Sequence, residues 1–243
     1  IPIAHLEAGL RTYNNYDPFP EEANRKLISQ LSTYHFCPTR GNYLDLEVEG
    51  IFNKKYIVGN TSIDVVKTIK PVIIKRDYKQ ILLTLHRREN IESGKAFQYL
   101  SILEDFLHLP GSIKCKWVVH PNSNLKEDFK ILNCFEFVEP LPYNEFVQEM
   151  YNSDLILSDS GAVSEECTII KTPLFILRNT TERPEALNLP FVKLVKNPLK
   201  LSGELEKFFK VEQPDYSKNK YDIFGKGNSG LIVAKIIATK ILK

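Results

Sequence analysis

The sequence predicts an α/β protein built from parallel β-sheets, and three observations support this class. Six short apolar runs between residues 80 and 195 are continuous rather than alternating in polarity, as in strands covered on both faces. Stretches with the apolar spacing of amphipathic helices separate these runs. The same alternation occurs on a smaller scale before residue 60. Strand and helix in steady alternation are typical of a doubly wound sheet, so we expect two Rossmann-like domains, the first of them incomplete.

The first domain is predicted over residues 1–70. It shows an opening strand and then helical and strand patterns in turn, each short enough for a small sheet. The predicted elements after the opening strand are a helix near 21–31, a strand at 34–37, a helix near 41–47 and a strand at 56–58.

The second domain is predicted over residues 77–226, after a charged, proline-containing segment at 67–79 that suits a linker. The strongly apolar helical pattern within 227–243 is predicted to pack back on the first domain. In a doubly wound sheet, ligands bind at the carboxyl ends of the strands, so chemistry is expected just after each run. The predicted strands are 81–85, 116–119, 135–138, 155–158, 174–177 and 191–194.

Composition excludes several classes of protein. The 243 residues carry 32 basic and 30 acidic side chains, a net charge of +2, which gives no electrostatic basis for binding nucleic acid or an anionic membrane. No apolar run approaches the length that spans a bilayer. Four scattered cysteines without C-x-x-C spacing predict buried, reduced thiols and a cytoplasmic protein. These cysteines are Cys37, Cys115, Cys134 and Cys167.

A phosphate site is predicted after the strand at 155–158. The small residues Ser160 and Gly161 open a helix there, and the free N–H groups of a helix start favour an anion. Glu166 lies about one turn further on, where its carboxylate can accept hydrogen bonds from ribose hydroxyls. The alternative, an ordinary helix N-cap followed by surface acids, is equally compatible with the spacing.

Two further charged groups follow strands of the second domain. His86 can supply charge or a proton to a departing diphosphate, although a histidine at a strand end is more often a satisfied polar residue. Arg183 lies in the charge-rich loop 178–185 and can bind phosphate, but its local pattern favours a structural ion pair.

The segment 5–25 places Glu7 at a strand end and Glu21 at the start of a helix, with a proline-containing loop between them. Two carboxylates that reach one substrate can serve as acid and base at a sugar carbon. The alternative is that Glu21 and Glu22 only favour a helix N-terminus, where acidic side chains interact well with the helix dipole.

In combination these motifs resemble the non-hydrolysing UDP-N-acetylglucosamine 2-epimerases, over nearly the whole chain. The resemblance implies the glycosyltransferase-B type fold, in which two Rossmann-like domains face each other across a cleft. It also implies a homodimer that supplies cell-envelope polysaccharide biosynthesis. The motifs are HLEAGLR at 5–11, PEEANR at 20–25, GNT at 59–61, HRRE at 86–89, DSG at 159–161, EE at 165–166 and TTERPE at 180–185.

The resemblance further implies a reaction. UDP is eliminated from C1 as a proton leaves C2 of UDP-GlcNAc, and UDP re-adds to the resulting 2-acetamidoglucal to give UDP-ManNAc, without a cofactor or a metal. By motif, Glu7 and Glu21 are the acid and base, and His86 assists the diphosphate. The implied substrate contacts are Arg11, Phe146 for uracil, Ser160 and Gly161 for phosphate, Glu166 for ribose, and Arg183.

The chain departs from the family pattern at several points. Ala162 replaces the usual second glycine, and residues 120–123 differ from the usual His-x-Asn-Pro. The family's Gly-Thr-Arg-Pro-Glu loop and His-Gly-Asp turn are expected before Ile1. Three alternatives stay open: an epimerase of a related UDP-2-acetamido sugar, a UDP-sugar transferase of the same architecture, and an inactive UDP-binding remnant.

Overall fold

The chain forms two compact units of parallel sheet and helix. The computed structural model describes residues 1–109, 111–119, 134–218 and 220–241. Unit 1 consists of Ile1–Ile69, Thr180–Asn188 and Tyr221–Lys243, whereas unit 2 consists of Lys70–Asn179 and Leu189–Lys220. The predicted α/β class with parallel sheets is confirmed.

Unit 1 contains a three-stranded parallel sheet in the order β1-β2-β3. Strand β2 is buried at each of its residues, consistent with its apolar run and central place. Side-chain oxygens of Thr39 and Asn60 accept N–H groups at the starts of two helices, which fixes where these helices begin. The elements are β1 (Ala4–Leu6), α1 (Glu21–Leu31), β2 (Tyr34–Cys37), α2 (Arg40–Val48), β3 (Lys55–Ile57) and α3 (Thr61–Val66).

Unit 2 contains six parallel strands in the order β6-β5-β4-β7-β8-β9. Strands β4 and β7 are neighbours, and the chain leaves them toward opposite edges of the sheet, so their carboxyl ends form the topological switch point. Its strands are β4 (Lys79–Thr84), β5 (Ile113–Val118), β6 (Phe135–Val138), β7 (Leu155–Ser158), β8 (Leu174–Ile176) and β9 (Val192–Leu194). Its helices are α4 (Arg88–Glu92), α5 (Lys95–Leu107), α6 (Tyr143–Tyr151), α7 (Gly161–Ile170) and α8 (Leu201–Lys210).

The core of unit 2 lies between the sheet and helices α5 and α8. Trp117 on β5 is fully buried and packs against Phe135 and Phe137 at ring-centroid distances of 5.7 and 5.4 Å. Burying each such aromatic or aliphatic side chain contributes roughly 1.5–3 kcal/mol to the free energy of folding. Apolar runs in the sequence therefore predicted the positions of these buried strands. The short helix α4 lacks such a run and was not predicted.

The C-terminal helix α9 (Ser229–Ile236) belongs to unit 1 and continues in one π-helical turn, Ile237–Ile241. Val233 packs with Tyr34, Phe36 and Val58 from the sheet. Asp64 on α3 accepts the backbone N–H groups of Ser229 and Gly230 at 2.9 and 2.7 Å, so a carboxylate caps the start of this helix.

The division into units differs from the predicted boundaries at two segments. Residues 180–188, predicted within the second domain, group with unit 1 because their side chains pair there; Arg183, for example, contacts Glu7. Residues 70–76, predicted as linker, lie in unit 2. The side-chain amides of Gln148 and Asn152 bond to the backbone of this segment.

Two sequence features concern the environment of the protein. Within the described ranges, no helix is long and apolar enough to cross a membrane. All four cysteines are free thiols, three of them buried.

Candidate active site

The switch point of unit 2 is organised by one buried carboxylate, Asp159, which follows β7 and is fully buried. It accepts the backbone N–H groups of His86 and Arg87 and the side-chain amide of Asn90 at distances of 2.9–3.2 Å. Asn90 also donates to the carbonyl of Leu177 beyond β8. The loop after β4 is therefore tied to the ends of two neighbouring strands.

His86 lies at the rim of this arrangement. Its Nδ1 is 3.3 Å from Oδ1 of Asp159, and its side chain is 27% exposed. The carboxylate therefore fixes both the backbone and the ring of His86, as second groups do for catalytic histidines. No separate role was predicted for Asp159, although a polar residue directly after a buried strand at the switch point is a sign of one.

Helix α7 begins at the predicted phosphate residues. Gly161 is its first residue, and the backbone N–H of Ser160 donates to Ser158 Oγ at 3.0 Å, which tightens the turn before the helix. The N–H groups of the first turn of a helix have no acceptor within that helix, so they are available to an anion. Ala162 replaces a glycine of the family pattern, and its side chain is exposed.

Glu166 is buried on α7, and its Oε1 accepts a 2.7 Å hydrogen bond from the hydroxyl of Tyr143 on α6. Phe146 is half-buried one turn along α6 from Tyr143, and residues three apart share a helix face. The bond from Tyr143 therefore links the helix that carries Phe146 to the helix that carries Glu166.

Glu7 follows β1 in unit 1 and has a backbone φ of 62°, in the left-handed region that non-glycine residues avoid. Its Oε1 accepts from Asn60 Nδ2 and from Arg183 Nη2, each at 3.0 Å. The side chain is 47% exposed, so these two donors hold a carboxylate that still reaches solvent. A cavity of about 420 Å³ adjoins it, lined by Leu6, Glu7, Val58, Gly59, Asn60, Thr61, Ser62 and Val65.

Gly59 is needed for the placement of Asn60. Its φ is +83°, and a Cβ there would lie 2.9 Å from Cα of Gly225 and 3.0 Å from the carbonyl oxygen of Phe224. The same carbonyl accepts the N–H of Asn60 at 2.7 Å. Only glycine permits this close approach, which explains why the Gly-Asn pair occurs together.

A charged cluster surrounds Glu7. Arg183 also lies 3.7 Å from the buried Glu182, which in turn is 3.4 Å from Arg25. Arg25 is 3.6 Å from the buried Glu22. Three carboxylates and two guanidinium groups therefore form one chain of ion pairs, which runs from the half-exposed Glu7 to the buried Glu182 and Glu22.

The two predicted carboxylates differ in environment. Glu21 is the exposed first residue of α1, whereas Glu22 beside it is fully buried and accepts the backbone N–H of Tyr13 at 3.1 Å.

The first residue of the segment 5–25, His5 on β1, has its pKa lowered to about 4, chiefly by burial and then by the neighbouring His35. His5 is therefore neutral at pH 7.

Arg11 forms its ion pair outside the chain of ion pairs around Glu7. It is buried, and its Nε and Nη2 bind both oxygens of Glu49 at 2.7 and 2.6 Å. Further bonds go to Ser29 Oγ and to the carbonyl of Leu10. These contacts favour a structural role for Arg11 over the predicted substrate contact.

Other cavities lie at the opposite end of unit 2. Two of them, of about 680 and 740 Å³, share Lys79, Tyr151 and Asp154, which lie at or beside the amino ends of β4 and β7. None of the predicted site residues lines either cavity. Among the residues that the structure describes, no group of three or more His, Cys, Asp or Glu side chains is placed to hold a metal ion.

The motifs and their geometry match known proteins. Residues 1–238 match the sequence model of the family described as UDP-N-acetylglucosamine 2-epimerase. The chain belongs to this family. The UDP-N-acetylglucosamine 2-epimerase of Neisseria meningitidis is 39% identical over 267 residues, which cover 100% of this chain and 70% of that protein.

Solved structures agree with this membership. The N. meningitidis UDP-GlcNAc 2-epimerase bound to UDP-GlcNAc superimposes with a TM-score of 0.87 at 36% identity, over 99% of this chain and 70% of that one. The Methanocaldococcus jannaschii enzyme in complex with UDP-GlcNAc and UDP gives a TM-score of 0.84 at 31% identity, over 98% and 69%. The predicted glycosyltransferase-B class is thereby confirmed. Residues 120–123, which depart from the epimerase pattern, lie outside the described residues.

Proposed function

We propose that this chain interconverts UDP-GlcNAc and UDP-ManNAc as a UDP-GlcNAc 2-epimerase. The observation that carries the proposal is the family match over residues 1–238. The grouping of Ser160, Gly161 and Glu166 on the loop and helix after β7 supports it, because a phosphate and a ribose can be bound there together. The relatives' structures with UDP-GlcNAc and UDP agree with that ligand class.

The proposed reaction is an elimination followed by an addition. A carboxylate removes the proton from C2, the electrons of that bond form the C1–C2 double bond, and UDP leaves C1 with the electrons of the C–O bond. UDP then re-adds to C1 while a proton is delivered to the other face of C2. C2–H is a weak acid, so the step needs a positioned base together with a stabilised leaving group.

We assign the acid and base to Glu7 and Glu21 and the stabilisation of the leaving diphosphate to His86. Two donors fix the direction of the Glu7 carboxylate while leaving it partly exposed, which suits a group that exchanges a proton. Arg183 is proposed to contact the substrate and, through its 3.0 Å ion pair, to hold the Glu7 carboxylate in place. Ser160 and Gly161 bind the phosphates, Glu166 the ribose and Phe146 the uracil face.

The experiment is proton exchange at C2. UDP-GlcNAc in deuterated water should gain deuterium at C2, as measured by NMR or mass spectrometry. Glu21→Gln should abolish this exchange with UDP affinity nearly unchanged. Glu92→Gln is the matched control, since it changes an exposed ion-pair partner of Arg88 and should keep full exchange.

Other outcomes identify the alternatives. Exchange with a different UDP-2-acetamido sugar would indicate a related epimerase, and UDP release only with an acceptor would indicate a transferase. UDP binding without exchange would indicate a remnant. If Glu21→Gln loses exchange and UDP affinity together, the assignment of Glu21 is wrong.

We further propose that the enzyme acts in the cytoplasm as a homodimer, supplies cell-envelope polysaccharide biosynthesis, and binds neither nucleic acid nor membrane. The nearly balanced charge of the sequence supports the last point. Light scattering on the purified protein tests the dimer, and a monomer at micromolar concentration would contradict it.

A further inference from the structure

Tyr143 and Glu166 form an unusual pair in unit 2. The phenol is the first residue of α6 and is 40% exposed, whereas the carboxylate on α7 is 3% exposed. Their 2.7 Å bond runs from the Tyr143 hydroxyl to Oε1 of Glu166. A surface side chain therefore covers a carboxylate that burial has largely removed from water, where a hydrogen bond to a charged group contributes more than at the surface.

The direction of this bond is fixed over the neutral pH range. Burial, followed by the hydrogen bond and the charge of Glu166, raises the pKa of Tyr143 well above its usual value. The phenol therefore stays protonated and acts as a donor to the carboxylate. A donor on one oxygen restricts the rotation of the carboxylate, since turning it would break the bond.

A purely structural link between the two helices would not need this exposed residue. Val147 and Met150 of α6 are already fully buried, and Thr172, just after α7, donates to the carbonyl of Met150 at 2.8 Å. These contacts secure the middle and the end of α6. The bond at its first residue adds a polar contact at the surface, on the same helix face as Phe146.

We propose that Tyr143 is a positioning residue that orients the Glu166 carboxylate to accept the ribose hydroxyls of UDP. This inference rests on the proposed function, which places the nucleotide at unit 2. Tyr143 and Phe146 then have complementary roles on one face of α6. The phenol of Tyr143 orients the carboxylate that accepts the ribose hydroxyls, and the ring of Phe146 covers the base. The preference of the site for ribose over deoxyribose should therefore depend on Tyr143, which the sequence motifs did not identify.

The test compares binding of UDP and 2′-deoxy-UDP to the whole chain by calorimetry at pH 7.5. Wild type should prefer UDP by roughly tenfold, since the deoxy analogue leaves a charged acceptor without its donor. Tyr143→Phe removes one oxygen atom and should weaken UDP binding about five- to tenfold while changing 2′-deoxy-UDP less than about twofold. The preference for ribose should largely disappear.

Two further variants control the test. Tyr151→Phe removes a hydroxyl from the last residue of the same helix, beside the distant cavities, and should leave both affinities and their ratio unchanged. Tyr143→Phe combined with Glu166→Gln should lose no more ribose preference than Glu166→Gln alone, because the phenol acts through the carboxylate. Fluorescence of the buried Trp117 verifies that each variant of unit 2 is folded.

The outcomes separate this inference from the proposed function. If wild type binds UDP but Tyr143→Phe keeps its ribose preference, or weakens both ligands equally, the positioning role is wrong while the proposed function stands. If wild type does not bind UDP at all, both are overturned.

Discussion

The ends of the strands in the two units are built on different physical principles. In unit 2, Asp159 is surrounded by backbone and amide N–H donors, so one buried charge is matched by dipoles that the fold itself supplies. In unit 1, Glu7 is matched by Arg183, within a chain of ion pairs between side chains. Backbone donors cannot rotate away, whereas side-chain ions can. The comparison indicates a rigid arrangement at the strand ends of unit 2 and an adjustable one at the strand ends of unit 1.

Unsatisfied polar atoms sharpen this contrast. Among the described residues of unit 1, five buried side-chain atoms make no hydrogen bond: Nδ1 of His5, Oε2 of Glu22, Nη1 of Arg25, Nδ1 of His35 and Oε2 of Glu185. Buried polar atoms without partners cost stability and concentrate where a site performs chemistry or binds a ligand. Asp159 shows the opposite state, with both of its carboxylate oxygens bonded.

The largest effect is expected at Asp159. Asp159→Asn turns an N–H donor toward the N–H groups of His86 and Arg87, and should lower the free energy of unfolding of unit 2 by about 3–5 kcal/mol. Urea titration followed by the fluorescence of Trp117, the single tryptophan, measures this unit directly. Asp154→Asn, at the other end of β7, is the control: its pair with Lys79 is partly exposed, and an Asn oxygen can still accept the backbone N–H of Gln80, so it should cost about 1 kcal/mol or less. Equal losses would contradict the special role of Asp159.

A second effect concerns Arg11, whose contacts favour a structural role. Arg11→Lys keeps the charge but loses the two parallel bonds to Glu49, and should destabilise unit 1 by about 2–3 kcal/mol. UDP affinity should stay within twofold of wild type, as measured by calorimetry. A large loss of substrate affinity without loss of stability would restore the predicted binding role.

The third effect is a pH dependence of the free energy of unfolding of unit 1. The pKa of His5 is lowered from its usual 6.5 to about 4, so the unfolded chain takes up this proton before the folded chain does. Unit 1 therefore has its full stability above about pH 6.5 and loses about 1–2 kcal/mol of it as the pH falls toward 4, after allowance for the partial exposure of His5. His5→Gln should remove this component, as measured by urea titrations followed by circular dichroism at each pH. Parallel curves for variant and wild type would show that His5 does not titrate in this way.

The smallest effect is the coupling between Glu7 and Arg183. A double-mutant cycle with Glu7→Gln and Arg183→Gln, measured on the free energy of unfolding, should give a coupling energy of about 1 kcal/mol. The value is small because the Glu7 carboxylate is 47% exposed. The same cycle at 0.5 M salt should give a smaller coupling energy, since salt screens the attraction between exposed charges. A coupling as large as the loss at Asp159 would erase the distinction between the two units.

The sequence predicted the fold well because burial is a local signal. Each continuous apolar run became a strand of the predicted sheet, and Trp117 lies inside one of them. What it could not predict depends on contacts that are distant along the chain. Arg183 and Glu7 are separated by 176 positions, so no local pattern assigns residues 180–188 to unit 1.

The candidate site shows the same limit. Motifs gave candidate roles to Glu7, Ser160 and Glu166. The motif at 59–61 contains Asn60 but did not predict its contact with Glu7, and no motif contains Tyr143, which contacts Glu166. Arg11 illustrates the reverse case. Its place in a motif predicted a ligand contact, whereas its bonds to Glu49 can be recognised only in three dimensions.

The left-handed backbone at Glu7 has a consequence for directed evolution. Holding a non-glycine residue at a φ of 62° costs of order 1 kcal/mol, which glycine would largely recover. A library selected for heat resistance alone would therefore enrich glycine at this position wherever the loss of the ion pair is tolerated, and the survivors would lack the proposed base. Selection at this position must therefore include a measurement of catalytic turnover, because the residue that gives the highest heat resistance there differs from the residue proposed for catalysis.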